Sequence, residues 1–140
     1  DTHGKLYVDQ GGILAGKAIP NSPLPAIGVG TIGTATADTA TPTALWIEPL
    51  DPVAKFALGA VGMWVRVDGT DYRVIAQSAD RRKLLLAGAA GTVSTGAAYR
   101  GVYKFDEVFV RGGAKLEFRD TNVVGTFTVD STSSVIQNVP

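Results

Sequence analysis

Glu107-Val108-Phe109-Val110-Arg111-Gly112-Gly113-Ala114-Lys115-Leu116 is an alternating apolar run, a glycine corner and a further apolar residue. Two other segments repeat its shape. One is Lys5-Leu6-Tyr7-Val8-Asp9-Gln10-Gly11-Gly12-Ile13-Leu14, and the other is Thr126-Phe127-Thr128-Val129-Asp130-Ser131-Thr132-Ser133-Ser134-Val135. Setting Val8, Val110 and Val129 in one column puts Leu14, Leu116 and Val135 in a second, and Leu6, Val108 and Phe127 in a third. Alternation at every second residue is the period of a strand with one buried face. Small residues at the corners let successive coils stack at the strand spacing of about 4.8 Å. Repetition of this kind is the sequence signature of a solenoid. The first two copies lie far apart and the last two close together, so a unit is inserted between them.

That inserted unit has its own pattern. Pro20, Pro23 and Pro25 exclude a regular helix or a central strand around them. The small-residue run Ile27 to Ala37 suits either a thin strand lying close on another backbone or a linker, and Ile27, Val29 and Ile32 favour the ordered form. Ala44-Leu45-Trp46-Ile47 is a short strand stopped by Glu48-Pro49. Asp51 as N-cap, Pro52 in the first turn and Gly59 at the exit predict a short helix. Met63, Val65 and Val67 alternate with Trp64 and Arg66, Asp68-Gly69 signals a hairpin, and Tyr72, Val74 and Ala76 return. Asp80 to Lys83 is a polar turn before Leu84-Leu85-Leu86, and Thr92 to Ser94 and Ala98 to Tyr103 supply further strands.

The expected fold is therefore all-β: parallel β-helix (solenoid) coils over residues 1–18 and 104–140, interrupted by a small antiparallel β-barrel within 19–103. A single β-sandwich using all the strands is the alternative. In strand count and turn spacing the insert resembles SH3-like small barrels. It carries no binding motif of that family, so no function follows from the likeness. The three repeated segments resemble the repeat regions of large bacterial cell-surface and adhesin-like β-helix proteins. That resemblance implies a non-catalytic structural or adhesive module, extracellular or at the cell surface, whose partners are the rest of a longer polypeptide and surface glycans. Solenoid edges carry unpaired strand groups, which implies self-association or cover by neighbouring coils. A chain that opens without Met and enters a strand almost at once reads as a piece of a longer one.

Composition narrows the chemistry. Thirteen basic residues balance thirteen acidic ones, which gives no electrostatic case for nucleic acid or an anionic membrane. No apolar run approaches the roughly 20 residues that membrane insertion needs. The absence of cysteine excludes disulfides, thiolate metal sites and a cysteine nucleophile. His3 is the single histidine, which excludes a multi-histidine metal site and would have to serve any Ser-His-Asp arrangement from beside a terminus. No cofactor is expected.

Asp68, Asp71 and Asp80 cluster around hairpin turns as calcium ligands would, but turn geometry explains them and their spacing is not that of an EF-hand loop. Glu48, Asp51, Glu107 and Glu117 are the acids available for cleaving polysaccharide, as a tail-spike β-helix would, if a pair faced one cleft. Gly28, Gly30 and Gly33 match a dinucleotide fingerprint without the helix it requires. The basic cluster Arg81-Arg82-Lys83 suits phosphate or sulfated sugar. Among Trp46, Trp64, Tyr72, Tyr99 and Tyr103, Trp64 lies on the less apolar face of its strand and is the best sugar-stacking candidate. A carbohydrate-binding reading therefore rests on Trp64, Tyr72, Arg81 and Arg82, with no catalytic and no metal residues assigned.

Overall fold

The computed structural model describes residues 5–16, 27–118 and 121–137. Eleven strands account for the regular structure of these residues, and no helix is present among them. In chain order they are β1 Lys5–Val8, β2 Ile13–Gly16, β3 Val29–Ala37, β4 Leu45–Pro49, β5 Trp64–Val67, β6 Thr70–Gln77, β7 Leu84–Leu86, β8 Ala98–Val110, β9 Lys115–Phe118, β10 Thr121–Val129 and β11 Ser134–Gln137.

Six of them form a closed antiparallel barrel in the order β3-β4-β7-β6-β5-β8, and β8 returns to β3. Closure depends on β8, where Tyr99 stands opposite Gly30 on one edge and opposite Val67 on the other. A closed barrel has no exposed edges of its own. Strand alternation sends Ile32, Ile47, Val65, Val67, Val74, Leu84 and Leu86 into an interior where each is under 2% exposed. The β5–β6 hairpin turns on Asp68 and Gly69, at φ 51° and 79°. Two residues in that left-handed conformation match the twist of paired strands, and Asp-Gly adopts it at low cost.

The glycine-rich run is β3, the thin strand close to another backbone. A Cβ at Gly33 would lie 2.6 Å from the Cα of Leu50, so only glycine lets the two chain segments approach there. The helix expected from Asp51 to Gly59 does not form. Asp51 does cap a turn, with the Val53 N–H donating to its Oδ1 at 3.0 Å. Phe56 then leaves the turn: its side chain is 1% exposed in the barrel core, and its N–H donates to the Arg81 carbonyl at 2.8 Å. Burying a phenyl ring outweighs the weak local preference for one or two helical turns. Thr92 to Ser94 is a turn and not a strand, because the N–H groups of Thr92 and Val93 both donate to the Ala89 carbonyl at 3.2 Å. The single-sandwich alternative also gives way, since β8 pairs on both edges and rolls the strands into one barrel.

Beyond residue 104, β8 leaves the barrel and becomes the middle of a parallel stack, so the expected boundary at 103/104 falls inside one strand. β1 pairs with it through Leu6↔Val108 and Val8↔Val110, and β10 through Phe127↔Val108 and Val129↔Val110. After the corner, β2 and β11 flank β9 through Leu14↔Leu116 and Val135↔Leu116. The three sequence columns are thus the register of the strands. One backbone edge serves one neighbour at a time. Since β5 and β10 both pair at Val102, β10 runs on the edge of β8 opposite to β5; β1, facing β10 across Val110, follows on the edge of β5.

The corners repeat as well. Arg111 N–H donates to the Val8 carbonyl at 3.0 Å and Asp130 N–H to Val110 at 3.1 Å; one turn later Lys115 donates to Gly12 at 2.8 Å and Ser134 to Ala114 at 3.1 Å. Val108, Val110, Ala114 and Leu116 are buried inside the stack, with Tyr103 beside them. Met63 packs against this cluster and against the barrel core, so the two interiors meet at one side chain.

Candidate functional site

Alternation that turns Leu6, Val8, Val108 and Val110 inward turns Lys5, Tyr7, Glu107 and Phe109 outward, and the corner residues Asp9 and Arg111 continue that face. Register then aligns chemistry across layers. Lys5 Nζ lies 3.8 Å from Glu107 Oε2. The Tyr7 and Phe109 rings stack with centroids 4.8 Å apart and planes 8° from parallel. Arg111 reaches Asp9 with two bonds, Nε to Oδ1 at 2.5 Å and Nη2 to Oδ2 at 3.0 Å. Its guanidinium carbon lies 5.4 Å from the Tyr7 ring centre and 5.9 Å from that of Phe109. The Arg111 hydrogen bonds hold the Asp9 carboxyl below its ordinary range, and Asp9 raises Arg111 in return.

In the next layer Asp130 accepts from the Gly112 N–H at 2.8 Å and from the Thr132 N–H and hydroxyl at 3.0 and 2.8 Å. Those donors, Gly112 foremost, hold its carboxyl far below the usual carboxylate range. The outward face is therefore a ladder of ion pairs and stacked rings with capped corners. Tyr7, in the outermost described layer on its side, is 52% exposed with Phe109 on one face of its ring.

The residues singled out in the sequence lie elsewhere and apart. Trp64 is half-buried where the barrel meets the stack, and the Lys104 ammonium stands 4.1 Å over its ring. Lys104 Nζ also lies 3.1 Å from Asp71 Oδ2, and Arg66 grips the same carboxylate at 2.7 and 3.1 Å. Burial works against the Asp71 charge, but these two cations more than offset it and leave its pKa lowered. Tyr72 is buried in the barrel, its hydroxyl 3.0 Å from Thr92 Oγ1, and its ring presents no stacking surface.

Arg82 turns inward under the loop after β4. It donates to the carbonyls of Asp51, Ala54 and Pro49 and to Glu48 Oε1. Arg81 stands at φ 61° in the turn, and its carbonyl receives Phe56. These four do not converge on one surface. Of the acids, Glu48 is held by Arg82 and Lys83, Asp51 caps its own turn, and Glu107 faces Lys5. Asp80 accepts from Ser78 and from the Arg82 N–H, which lowers its pKa. Among the described residues no group of three or more His, Asp or Glu side chains is placed to hold a metal ion. His3 and the side chain of Glu117 lie outside the described residues.

Tyr7, Phe109 and Arg111 are the outward groups that sequence reasoning passed over. The signal was present in the same columns, read for their polar and aromatic members: Lys5 above Glu107, Tyr7 above Phe109, Asp9 above Arg111. Comparison of the chain with protein-family models, with characterised proteins and with solved structures finds no match.

Proposed function

We propose that this chain is a non-catalytic structural and adhesive module of a large extracellular bacterial protein. In this reading the parallel layers are coils of a β-helix that acts as a stiff scaffold, and the barrel is a side unit held away from it. The observation that carries the proposal is the in-register stacking of three layers with the same corner in each. A backbone that repeats hydrogen bonds layer after layer resists bending, and each layer needs only its neighbours for stability. The outward ladder supports the same reading, because its charged and aromatic groups tie one layer to the next while staying exposed.

A carbohydrate-binding role through Trp64 has less support, since Lys104 stands over the ring and Tyr72 and Arg82 serve the barrel from within. The test is surface exposure in the native cell. Antibodies raised against the chain are expected to label intact bacteria; labelling only after permeabilisation overturns the extracellular reading.

A further inference from the structure

Among the described residues, the outer edge of β1 pairs with no strand. We propose that this edge is a docking site for a second copy of the chain. The two β1 strands would run antiparallel about a twofold axis through Tyr7. The inference rests on the layered scaffold reading and adds a partner to it.

Three observations converge on this edge. An open strand offers unpaired N–H and C=O groups, a template for another strand. Tyr7 has Phe109 on one face of its ring and is 52% exposed, so a ring arriving at the edge can stack on the uncovered face. The outward residues of Lys5-Leu6-Tyr7-Val8-Asp9 are also self-complementary. With Tyr7 opposite Tyr7 of the other copy, Lys5 of each chain faces Asp9 of the other, and Leu6 faces Val8. Directly opposed residues of an antiparallel pair stand about 5 Å apart, within reach of ion pairing. A twofold contact is isologous, so both Lys5–Asp9 pairs form at once.

The polarity of the chain favours this arrangement over a head-to-tail one. Stacking β1 of one copy on the edge of another copy's β10 that pairs with no described strand would continue the existing columns. It would set Asp9 beside Asp130 and Tyr7 beside Thr128, a like-charge contact and an unmatched ring. It would also place successive barrels on the same side, about three strand spacings or 14 Å apart. Antiparallel pairing instead sends the two barrels to opposite ends.

The experiment is sedimentation of the 140-residue chain over about 10 µM to about 1 mM, the range suited to a single short strand edge. Expected is a concentration-dependent shift from monomer to dimer. Lys5→Asp and Asp9→Lys should each weaken dimerisation about tenfold or more, because each turns two attractions into repulsions. Mixed in equal amounts, the two variants should recover it, since every cross-strand pair is then opposite in charge. Both side chains are exposed, and their present surface pairs with Glu107 and Arg111 add little stability, so the fold is retained.

The chain has no cysteine, so Tyr7→Cys provides a second measurement: mild oxidation should give a covalent dimer, and Thr128→Cys on the β10 edge should not. A monomer at every concentration overturns the proposal. So does dimerisation untouched by either charge reversal, or cross-linking through Thr128→Cys in place of Tyr7→Cys. None of these outcomes bears on antibody labelling of cells, so the two proposals fail separately.

Discussion

Gly33→Ala tests a close backbone approach in the barrel. The added Cβ would meet Leu50 Cα at 2.6 Å, Leu50 N at 2.9 Å and the Pro49 carbonyl oxygen at 3.0 Å. All three are main-chain atoms, so no rotamer change relieves the contact. Moving Leu50 out to an ordinary separation of about 3.4 Å needs a shift of roughly 0.8 Å. The same shift stretches the bond from Leu50 N to the Thr31 carbonyl, now 2.8 Å, past hydrogen-bonding range. It also works against Ile32, which is 0% exposed and registers with Pro49 beside the bulge between Ile32 and Thr34. A lost backbone hydrogen bond of about 1 kcal/mol and an overpacking cost of about 2 kcal/mol give roughly 3 kcal/mol of destabilisation. Urea denaturation followed by tryptophan fluorescence reads this as a lower midpoint at unchanged slope. A midpoint corresponding to less than about 0.5 kcal/mol would refute the close approach of β3 to the end of β4.

Arg82→Ala is expected to cost about 2–3 kcal/mol in the same assay, since its fork satisfies several loop carbonyls at a side chain 16% exposed; Arg81→Ala next to it should stay within about 0.5 kcal/mol. Leu116→Ala removes a fully buried side chain from the middle layer and should cost about 3 kcal/mol, with hydrogen-exchange protection falling in β2, β9 and β11. The Asp71 pKa lies below its ordinary 3.8, so the folded chain releases that proton more readily than the unfolded one. Its contribution is therefore complete above about pH 4 and is lost as pH falls through the folded value. Asp71→Asn should lower stability at neutral pH by about 2 kcal/mol, after allowance for partial exposure of Arg66, and flatten the acid limb of a stability–pH curve. An unchanged acid limb in that variant would contradict the role given to Lys104 and Arg66.

The stacked columns were legible because parallel strands place like positions side by side, so side-chain repetition and backbone register carry the same information. The Asp68-Gly69 hairpin was legible for a local reason, a turn that two particular residues favour. Where the sequence misled, the deciding partner lay far along the chain. Asp51-Pro52 favours a helix start, but the barrel interior claims Phe56 and the Arg81 carbonyl claims its N–H. The run around Gly33 left strand and linker open because the feature that selects glycine is the backbone of Leu50. Trp64 lies on the less apolar face of its strand, as its alternation implies. Nothing nearby in sequence announces that Lys104 covers it. Arg82 looks like a surface charge until the carbonyls after β4 are placed around it.

The strand that unites these parts is β8. In its first half its edges hold β3 and β5, and in its second they hold β10 and β1. Each exchange of partner happens without a break in β8, so one continuous backbone carries the barrel wall into the layered stack. Strand hydrogen bonds therefore join the barrel to the stack. Lys104 reinforces the crossing from β8, bonding to Asp71 of β6 and lying over Trp64 of β5, while Met63 packs into both interiors. Under the proposed scaffold role, a junction of this kind would hold the barrel at a set angle. The repeated segment Glu107 to Leu116 thus begins on the barrel's own strand.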